Sequence, residues 1–234
     1  MFIDWTYIVY VLPAVIFSLW ASAKVNGTYN KYAKYYSRCG MTGYDMARSI
    51  LSANGLSNVQ IYTTEGKLSD HYDPKRKVLR LSKEVYYGTS MVAIGVAAHE
   101  CGHALQDAKR YFPMKIRGAI VPVTNFASRL SMPLIFLGLI FSSFSQFFVY
   151  VAYVGVACFS LCALFQLITL PVEFNASKRG LTIIKNCGSF SSEEVAVSKK
   201  MLSAAALTYV AALAVTFAQI LRLLVIIGRR DRRR

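Results

Sequence analysis

The sequence predicts a mainly α-helical membrane protein, with about four transmembrane helices and a small α+β lobe that carries a short antiparallel sheet. Hydrophobic residues make up 55% of the 234-residue chain. The charged residues are clustered, so long apolar runs alternate with two charged stretches. These runs are long enough for helices that cross a hydrocarbon core about 30 Å thick.

The first element is an uncharged run over residues 5–23, which predicts an N-terminal transmembrane anchor at 1–23. Asp4 is the only charge before it, and lysines follow from Lys24 onward. A secretory signal would need positive charge in front of the run, although Ala21-Ser22-Ala23 resembles a cleavage site. The flanks therefore favour an uncleaved anchor whose N-terminus lies outside.

Two further apolar stretches follow the lobe. Residues 130–172 contain no charge and would form about 65 Å of helix, so they predict a transmembrane hairpin. Its turn is expected at Ser142-Ser143-Phe144-Ser145-Gln146. Residues 201–234 predict a C-terminal membrane helix, interrupted only by Arg222 before an arginine-rich tail.

The lobe consists of residues 24–129 and the shorter segment 173–200. The first piece has 16 basic and 7 acidic residues, so the positive-inside rule predicts that it is cytoplasmic. With four spans, the arginine tail would then end outside. Either the last stretch does not cross fully or the lobe is outside.

The net charge of +15 is best explained by contact with anionic membrane lipids. Nucleic-acid binding is not expected, because no glycine-rich, zinc-finger or aromatic recognition pattern accompanies the basic residues. The five cysteines form no Cys-x-x-Cys pair. They are expected to be free thiols in a reducing compartment.

The motif His99-Glu100-Cys101-Gly102-His103 lies in a predicted helix at 89–109. Histidines at i and i+4 lie about 6 Å apart along one helix face, so both can bind one zinc ion. The intervening Glu100 can hold the water that zinc activates. The alternative, two core histidines, would leave Glu100 as a costly buried charge.

A catalytic zinc site needs a third protein ligand and an open position for water. Asp107 is about 12 Å along the helix from His99, so it can only brace the helix end. Glu194 forms a predicted capping box with Ser191. Glu173 remains, because a hairpin returns the chain to the face it left; His71 stays possible.

Short elements surround the zinc helix. Thr42 is expected to cap a helix at 43–53 that ends at Asn54-Gly55. Residues 59–62 and 77–82 predict two strands that pair antiparallel across a turn near Asp73-Pro74. The second strand is expected to offer a free edge to a substrate backbone, unless it is an ordinary protected edge. This edge consists of Val78, Leu79, Arg80 and Leu81.

Five segments together resemble the YugP-type neutral zinc metallopeptidases of bacteria, in order and nearly end to end. The segments are 70–74, 78–82, 99–103, 170–174 and 206–212. That family is similar in layout to the HtpX-like membrane gluzincins, which place a hairpin between the zinc helix and a downstream glutamate ligand. The resemblance implies a zincin-like lobe that binds one Zn²⁺ through His99, His103 and Glu173, with Glu100 as general base.

Three residues are expected to position the ligands, namely Asn175, Ser177 and Asp107. The family usually has Asp where this chain has Asn175, and the related gluzincins have Asp where this chain has Ser177; a carboxylate at such a position orients a ligand. His71 is a candidate catalytic residue for stabilising an oxyanion. Tyr72, Arg179 and Tyr209 are the alternatives.

The predicted function is that of a zinc endopeptidase in a bacterial plasma membrane, with several spans and a cytoplasmic active site. Its substrates would be proteins or peptides, including membrane proteins. An intramembrane protease would need an aspartate on a later membrane helix, and neither apolar stretch has one. A non-catalytic zinc scaffold is disfavoured because structural zinc has four protein ligands. The oligomeric state is left open.

Overall fold

The computed structural model describes residues 5–231, and within this range the chain is mainly α-helical, with one small sheet. A π-helical segment, Tyr7–Val11, leads into the first α-helix. The elements are, in order, α1 (Leu12–Tyr32), α2 (Gly43–Ala53), β1 (Gln60–Thr64), β2 (His71–Asp73), β3 (Val78–Ser82), α3 (Lys83–Tyr86), α4 (Met91–Ala108), α5 (Phe112–Phe141), α6 (Gln146–Asn186) and α7 (Ser192–Asp231).

Four of these helices are long and apolar enough to cross a membrane: α1 with its π-helical segment, α5, α6 and α7. The predicted class, a mainly α membrane protein with a small α+β lobe, is therefore confirmed. The predicted hairpin is also present, since α5 and α6 are joined by a turn at residues 142–145. Helix α6 continues without a break through Pro171 and Glu173.

The chain divides into two compact units. The apolar unit contains residues 5–21, Ile116–Leu170 and residues 208–231, and the lobe contains Ser22–Lys115 and Pro171–Leu207. In the apolar unit α5 and α6 pack closely at Gly138, where any side chain would collide with the backbone of Ala152. Small residues at such contacts allow membrane helices to approach each other.

The end of α7 lies beside the hairpin turn within the apolar unit. Arg230 Nη1 donates to Ser142 Oγ at 2.8 Å and also to the carbonyl of Leu139. Gln146 Nε2 donates to Asp231 Oδ1 at 2.5 Å. The C-terminal end of α7 is therefore level with the turn between α5 and α6. Of the charges used above to predict orientation, Asp4 and Arg232–Arg234 lie outside the described residues.

The core of the lobe is formed by α2, the sheet, α4 and parts of the long helices. Thr42 caps α2 as predicted: its Oγ1 accepts from the Asp45 backbone N–H at 3.1 Å, and Asp45 accepts from the Thr42 backbone N–H at 3.0 Å. Ser90 caps α4, and Ser191 with Glu194 forms the predicted box before α7. The largest fully buried core residues include Met46, Ile50, Leu51, Leu79, Leu81, Met91 and Ile94.

The predicted strand pairing is wrong. The two predicted strands, β1 and β3, pair parallel, whereas β3 and β2 pair antiparallel. The turn near Asp73-Pro74 exists, but it joins β3 to the short strand β2, which the pattern did not reveal. A parallel pair needs a long crossover, and residues 65–77 supply it.

The predicted free edge is also wrong. The strand order is β1-β3-β2, so β3 is the central strand. The backbone of Val78, Leu79 and Arg80 is paired on both sides, and that of Leu81 is paired with β1. A substrate could add only to an outer strand, so these four residues are not a substrate edge.

Candidate metal centre

Three predicted ligands meet inside the lobe. His99 and His103 lie one turn apart on α4, and Glu173 lies on α6. The Nε2 atoms of the two histidines are 3.3 Å and 3.5 Å from Oε2 of Glu173. Their ring centroids are 4.8 Å apart and the rings are nearly perpendicular. Among residues 5–231 these three side chains form the one cluster able to hold a metal ion.

The geometry of the cluster fits zinc. Ligand atoms 2.0–2.1 Å from a tetrahedral zinc ion are about 3.3 Å from one another, close to the two separations between nitrogen and oxygen. Two imidazoles and one carboxylate are also the ligand set of one class of catalytic zinc site, which keeps a fourth position open. The residues present therefore suit zinc.

Close contact between α4 and α6 brings the ligands together. A Cβ added to Gly102 would lie 2.5 Å from the carbonyl oxygen of Ala176, and one added to Gly180 would lie 2.8 Å from that of Ala98. Both glycines therefore lie against the backbone of the opposite helix. Any larger residue at either position would push the histidines on α4 away from Glu173.

His103 is held by Gln106, one turn further along α4. Gln106 Nε2 donates to the Val172 carbonyl at 2.7 Å and to Asn175 Oδ1 at 3.0 Å. Its Oε1 therefore faces Nδ1 of His103, at 3.0 Å, as an acceptor. Nδ1 must carry the proton, which leaves the lone pair of Nε2 directed at the cluster.

The hydrogen bonds continue through Asn175, one of the three residues expected to position the ligands. Asn175 Oδ1 also accepts from Arg179 Nε at 2.7 Å, and the guanidinium of Arg179 lies 5.9 Å from the ring centroid of Tyr111. Gln106 is completely buried, and the sequence pattern did not identify it as a partner of His103. Its position three residues after His103 was the signal that could have identified it.

His99 has a separate partner. Its Nδ1 lies 2.9 Å from Oγ of Ser177, one turn after Glu173 on α6. When Nδ1 donates to the hydroxyl, Nε2 keeps its lone pair for a metal. Ser177 therefore stands where the resemblance leads us to expect a carboxylate, and its hydroxyl contacts His99 instead.

The hydrogen-bond partners of Asp107 lie on the side of α4 that faces the sheet. Tyr72 Oη donates to Asp107 Oδ2 at 2.7 Å, and Lys77 Nζ donates to the same oxygen. Burial, followed by the hydrogen bond to Asp107, raises the pKa of the Tyr72 phenol. Asp107 therefore ties the end of α4 to β2 and the turn after it, which agrees with a bracing role.

The structure does not bring His71 into the metal cluster. His71 is exposed on β2, and its Nδ1 lies 2.8 Å from the carbonyl of Ser69. The next residue, Tyr72, is the one that turns to Asp107, and successive side chains on a strand point to opposite faces. Asp70, which could have held His71 charged, instead accepts from the backbone N–H of Ser82.

Glu100 and Cys101 lie between the two histidines. Glu100 is buried, with 8% of its surface exposed, and Cys101 is fully buried. Burial raises the pKa of the Cys101 thiol, so this cysteine is an inert core residue. Burial disfavours charge on His103, but the hydrogen bond to Glu173, the negative charges of Glu100 and Glu173 and the bond to Gln106 together outweigh burial and raise the pKa of the imidazole.

Comparisons with known proteins agree with this centre. A family described as "Putative neutral zinc metallopeptidase" matches residues 7–228. The chain belongs to this family. It is also 46% identical over 221 residues to "Putative membrane protease YugP" of Bacillus subtilis (strain 168), covering 94% of this chain and 96% of that protein. No solved structure matches.

Membership of the neutral zinc metallopeptidase family confirms the resemblance inferred from the five sequence segments. The match covers both the lobe and the apolar stretches. The name of the family specifies zinc, and the cluster of His99, His103 and Glu173 is a possible place for it. The roles of individual residues are taken up as proposals below.

Proposed function

We propose that this member of the neutral zinc metallopeptidase family is an integral-membrane endopeptidase that hydrolyses peptide bonds at a zinc centre in its lobe. The observation that carries the proposal is the convergence of His99, His103 and Glu173, with ligand atoms within 4.8 Å of one another. The Nδ1 atom of each histidine, which does not face the cluster, has its own hydrogen-bond partner, and such a partner is typical of metal ligands.

Each residue of the centre has a definite task in this proposal. His99, His103 and Glu173 would hold one zinc ion, which lowers the pKa of a bound water and polarises a substrate carbonyl. Glu100 accepts a proton from the attacking water on its carboxylate and delivers it to the leaving amine nitrogen. Gln106 and Ser177 keep the imidazoles in the tautomer that presents Nε2.

The substrates are proposed to be proteins or peptides, including membrane proteins. The protein is proposed to lie in a bacterial plasma membrane, with four spans and the lobe in the cytoplasm. The excess of basic residues in the lobe supports this orientation. The stretch 22–115 of the lobe contains 14 basic and 7 acidic residues.

The catalytic proposal is tested with wild type and Glu100→Gln purified in detergent. We expect equal zinc content in both and cleavage of an unfolded protein by wild type alone. Cleavage by Glu100→Gln at the wild-type rate would exclude Glu100 as the base. Equal zinc content without cleavage by either protein, across a panel of unfolded substrates, would favour a non-catalytic zinc scaffold.

Orientation is tested with the cysteines already present. Cys39 and Cys187 are exposed in the lobe, whereas Cys101 is buried. A membrane-impermeant maleimide should label the lobe only after the cell membrane is permeabilised. The double variant Cys39→Ser/Cys187→Ser is the control and should lose this labelling. Labelling of intact cells at Cys39 and Cys187 would place the lobe outside.

A further inference from the structure

One cavity in the lobe shares no lining residue with the metal centre and is lined by several lysines. It has a volume of about 560 Å³ and lies between the last turns of α1 and the first turns of α7. Lys24 and Lys31 come from α1, and Lys199 and Lys200 come from α7. Within the described part of the chain, none of the residues that line it is acidic.

Tyr32 organises two of these lysines. The Nζ atoms of Lys31 and Lys200 lie 5.4 Å and 5.7 Å from the centroid of its ring. Lys200 Nζ also donates to the Tyr32 hydroxyl at 3.4 Å. An aromatic face attracts ammonium groups, so the ring of Tyr32 interacts with both lysines. We call Lys24, Lys31, Tyr32, Lys199 and Lys200 the lysine pocket.

The positive charges of the four lysines that line this cavity repel one another, and this repulsion opposes folding. A bound anion would attract the lysines and so offset their mutual repulsion. A phosphate group suits such a site because each ammonium can donate hydrogen bonds to its oxygens. The charge of the lysine pocket therefore points to an anionic ligand.

The position of the pocket along the chain indicates the source of the anion. Lys24 is the first charge after the uncharged run 5–23, and Lys200 directly precedes the apolar stretch 201–227. Both helices are candidate membrane spans. Basic residues at such boundaries lie at the depth of lipid headgroups. Ala204 and Leu207 supply an apolar wall on the side of the pocket that continues into this stretch.

We propose that the lysine pocket binds the headgroup of an anionic phospholipid. Its phosphate lies among the four ammonium groups, beside the ring of Tyr32. This site is independent of the catalytic proposal, because it uses none of the residues of the metal centre. It requires only that α1 and α7 enter the membrane.

The test compares binding of phosphatidylglycerol and phosphatidylcholine to the detergent-purified protein by native mass spectrometry. The test variant is Lys31→Gln/Lys200→Gln. The matched control is Lys67→Gln/Lys109→Gln, which removes the same charge at exposed sites of the lobe outside the pocket. Tyr32→Leu removes the organising ring without changing the charge. The melting temperature reports whether each variant retains a folded lobe.

We expect wild type and the control to prefer phosphatidylglycerol equally. The Lys31/Lys200 variant should bind phosphatidylglycerol at least about tenfold more weakly, and Tyr32→Leu should also bind it more weakly. Excess inorganic phosphate should not displace the lipid. Equal weakening in the control would show that lipid binding depends on the overall positive charge and not on the pocket, which would overturn the proposal. Wild-type binding in either pocket variant, or displacement by phosphate alone, would also overturn it.

Discussion

Gly102 of α4 and Ala176 of α6 meet backbone to backbone beside the metal centre: a Cβ on Gly102 would lie 2.5 Å from the carbonyl oxygen of Ala176. Gly102 directly precedes His103, and Ala176 directly precedes Ser177. The contact therefore sets the distance between the two helices at the point where each presents its ligands.

Replacing Gly102 by alanine should separate α4 from α6. Overpacking of this kind costs about 1–3 kcal/mol, and the histidines would move away from Glu173. We expect a lower melting temperature and a lower zinc content, measured on the purified protein. Gly27→Ala is the control, because a Cβ there meets nothing within 4 Å. Wild-type zinc content in Gly102→Ala would show that the helices need not be this close.

Removing the carboxylate at position 173 should weaken zinc retention. Oε2 of Glu173 approaches the Nε2 atoms of both histidines from the opposite helix. We expect Glu173→Ala to lose zinc during mild chelation that leaves wild type loaded. Glu193→Ala, an exposed glutamate of α7, should behave as wild type. Full zinc occupancy in Glu173→Ala would mean that another residue is the third ligand.

Replacing Gln106 by leucine keeps a similar volume but removes the acceptor for His103 Nδ1. It also leaves the carbonyl of Val172 without this donor. Loss of such a supporting partner weakens metal affinity about 10–100-fold, which a competitive chelator titration would measure. Asn175→Asp is the conservative comparison, because a carboxylate still accepts from Gln106 and Arg179. A zinc affinity of Gln106→Leu equal to that of wild type would contradict the proposed role.

Removing the Ser177 hydroxyl tests the support of His99 separately. Ser177→Ala deletes the partner of Nδ1, and we expect about tenfold weaker zinc binding in the same titration. Thr182→Ala on the same helix is the matched control, because its hydroxyl donates only to the carbonyl of Lys178. If both variants bind zinc equally well, the contact between His99 and Ser177 does not position the ligand.

The contributions of Asp70 and Asp73 to folding stability should change with pH in opposite directions. Burial raises the pKa of Asp70 despite its hydrogen bonds to Ser82, so its stabilising contribution is present at low pH and lost as pH rises through the raised value. Hydrogen bonds from the backbone of Arg76 and Lys75 lower the pKa of the partly exposed Asp73. Its contribution is present at neutral pH and lost on acidification.

Melting temperature against pH measures these contributions. Asp70→Asn keeps an acceptor for Ser82 but cannot ionise, so relative to wild type it should be more stable at neutral than at acid pH. Asp73→Asn should be less stable than wild type at neutral pH, with the difference shrinking in acid. The same pH trend in both variants would contradict the assigned causes.

Local features of the fold could be predicted because their signals are local. The capping boxes at Thr42 and at Ser191 with Glu194 need only neighbouring side chains and backbone groups. The hairpin followed from the length of an uncharged run, and its turn from a short polar stretch. Histidines at i and i+4 share a helix face whatever surrounds the helix.

The strand pairing could not be predicted in this way. A period-two pattern identifies a strand but does not say which strand becomes its neighbour. The short strand β2 was hidden in a segment that also contains a turn. Once β2 pairs with β3 on one side, β1 takes the other side, and the presumed edge becomes the centre of the sheet.

The sequence alone determined the class of the protein, the spans and the two histidines beside Glu100, since apolar length and helical spacing are properties of the chain itself. Only the tertiary structure decided that Glu173 comes within 3.5 Å of both rings, that Gln106 is buried among the ligands, and that His71 remains apart. These positions depend on how closely α4 and α6 approach each other and on which face of β2 packs against the core. Such facts arise from packing between segments distant in sequence.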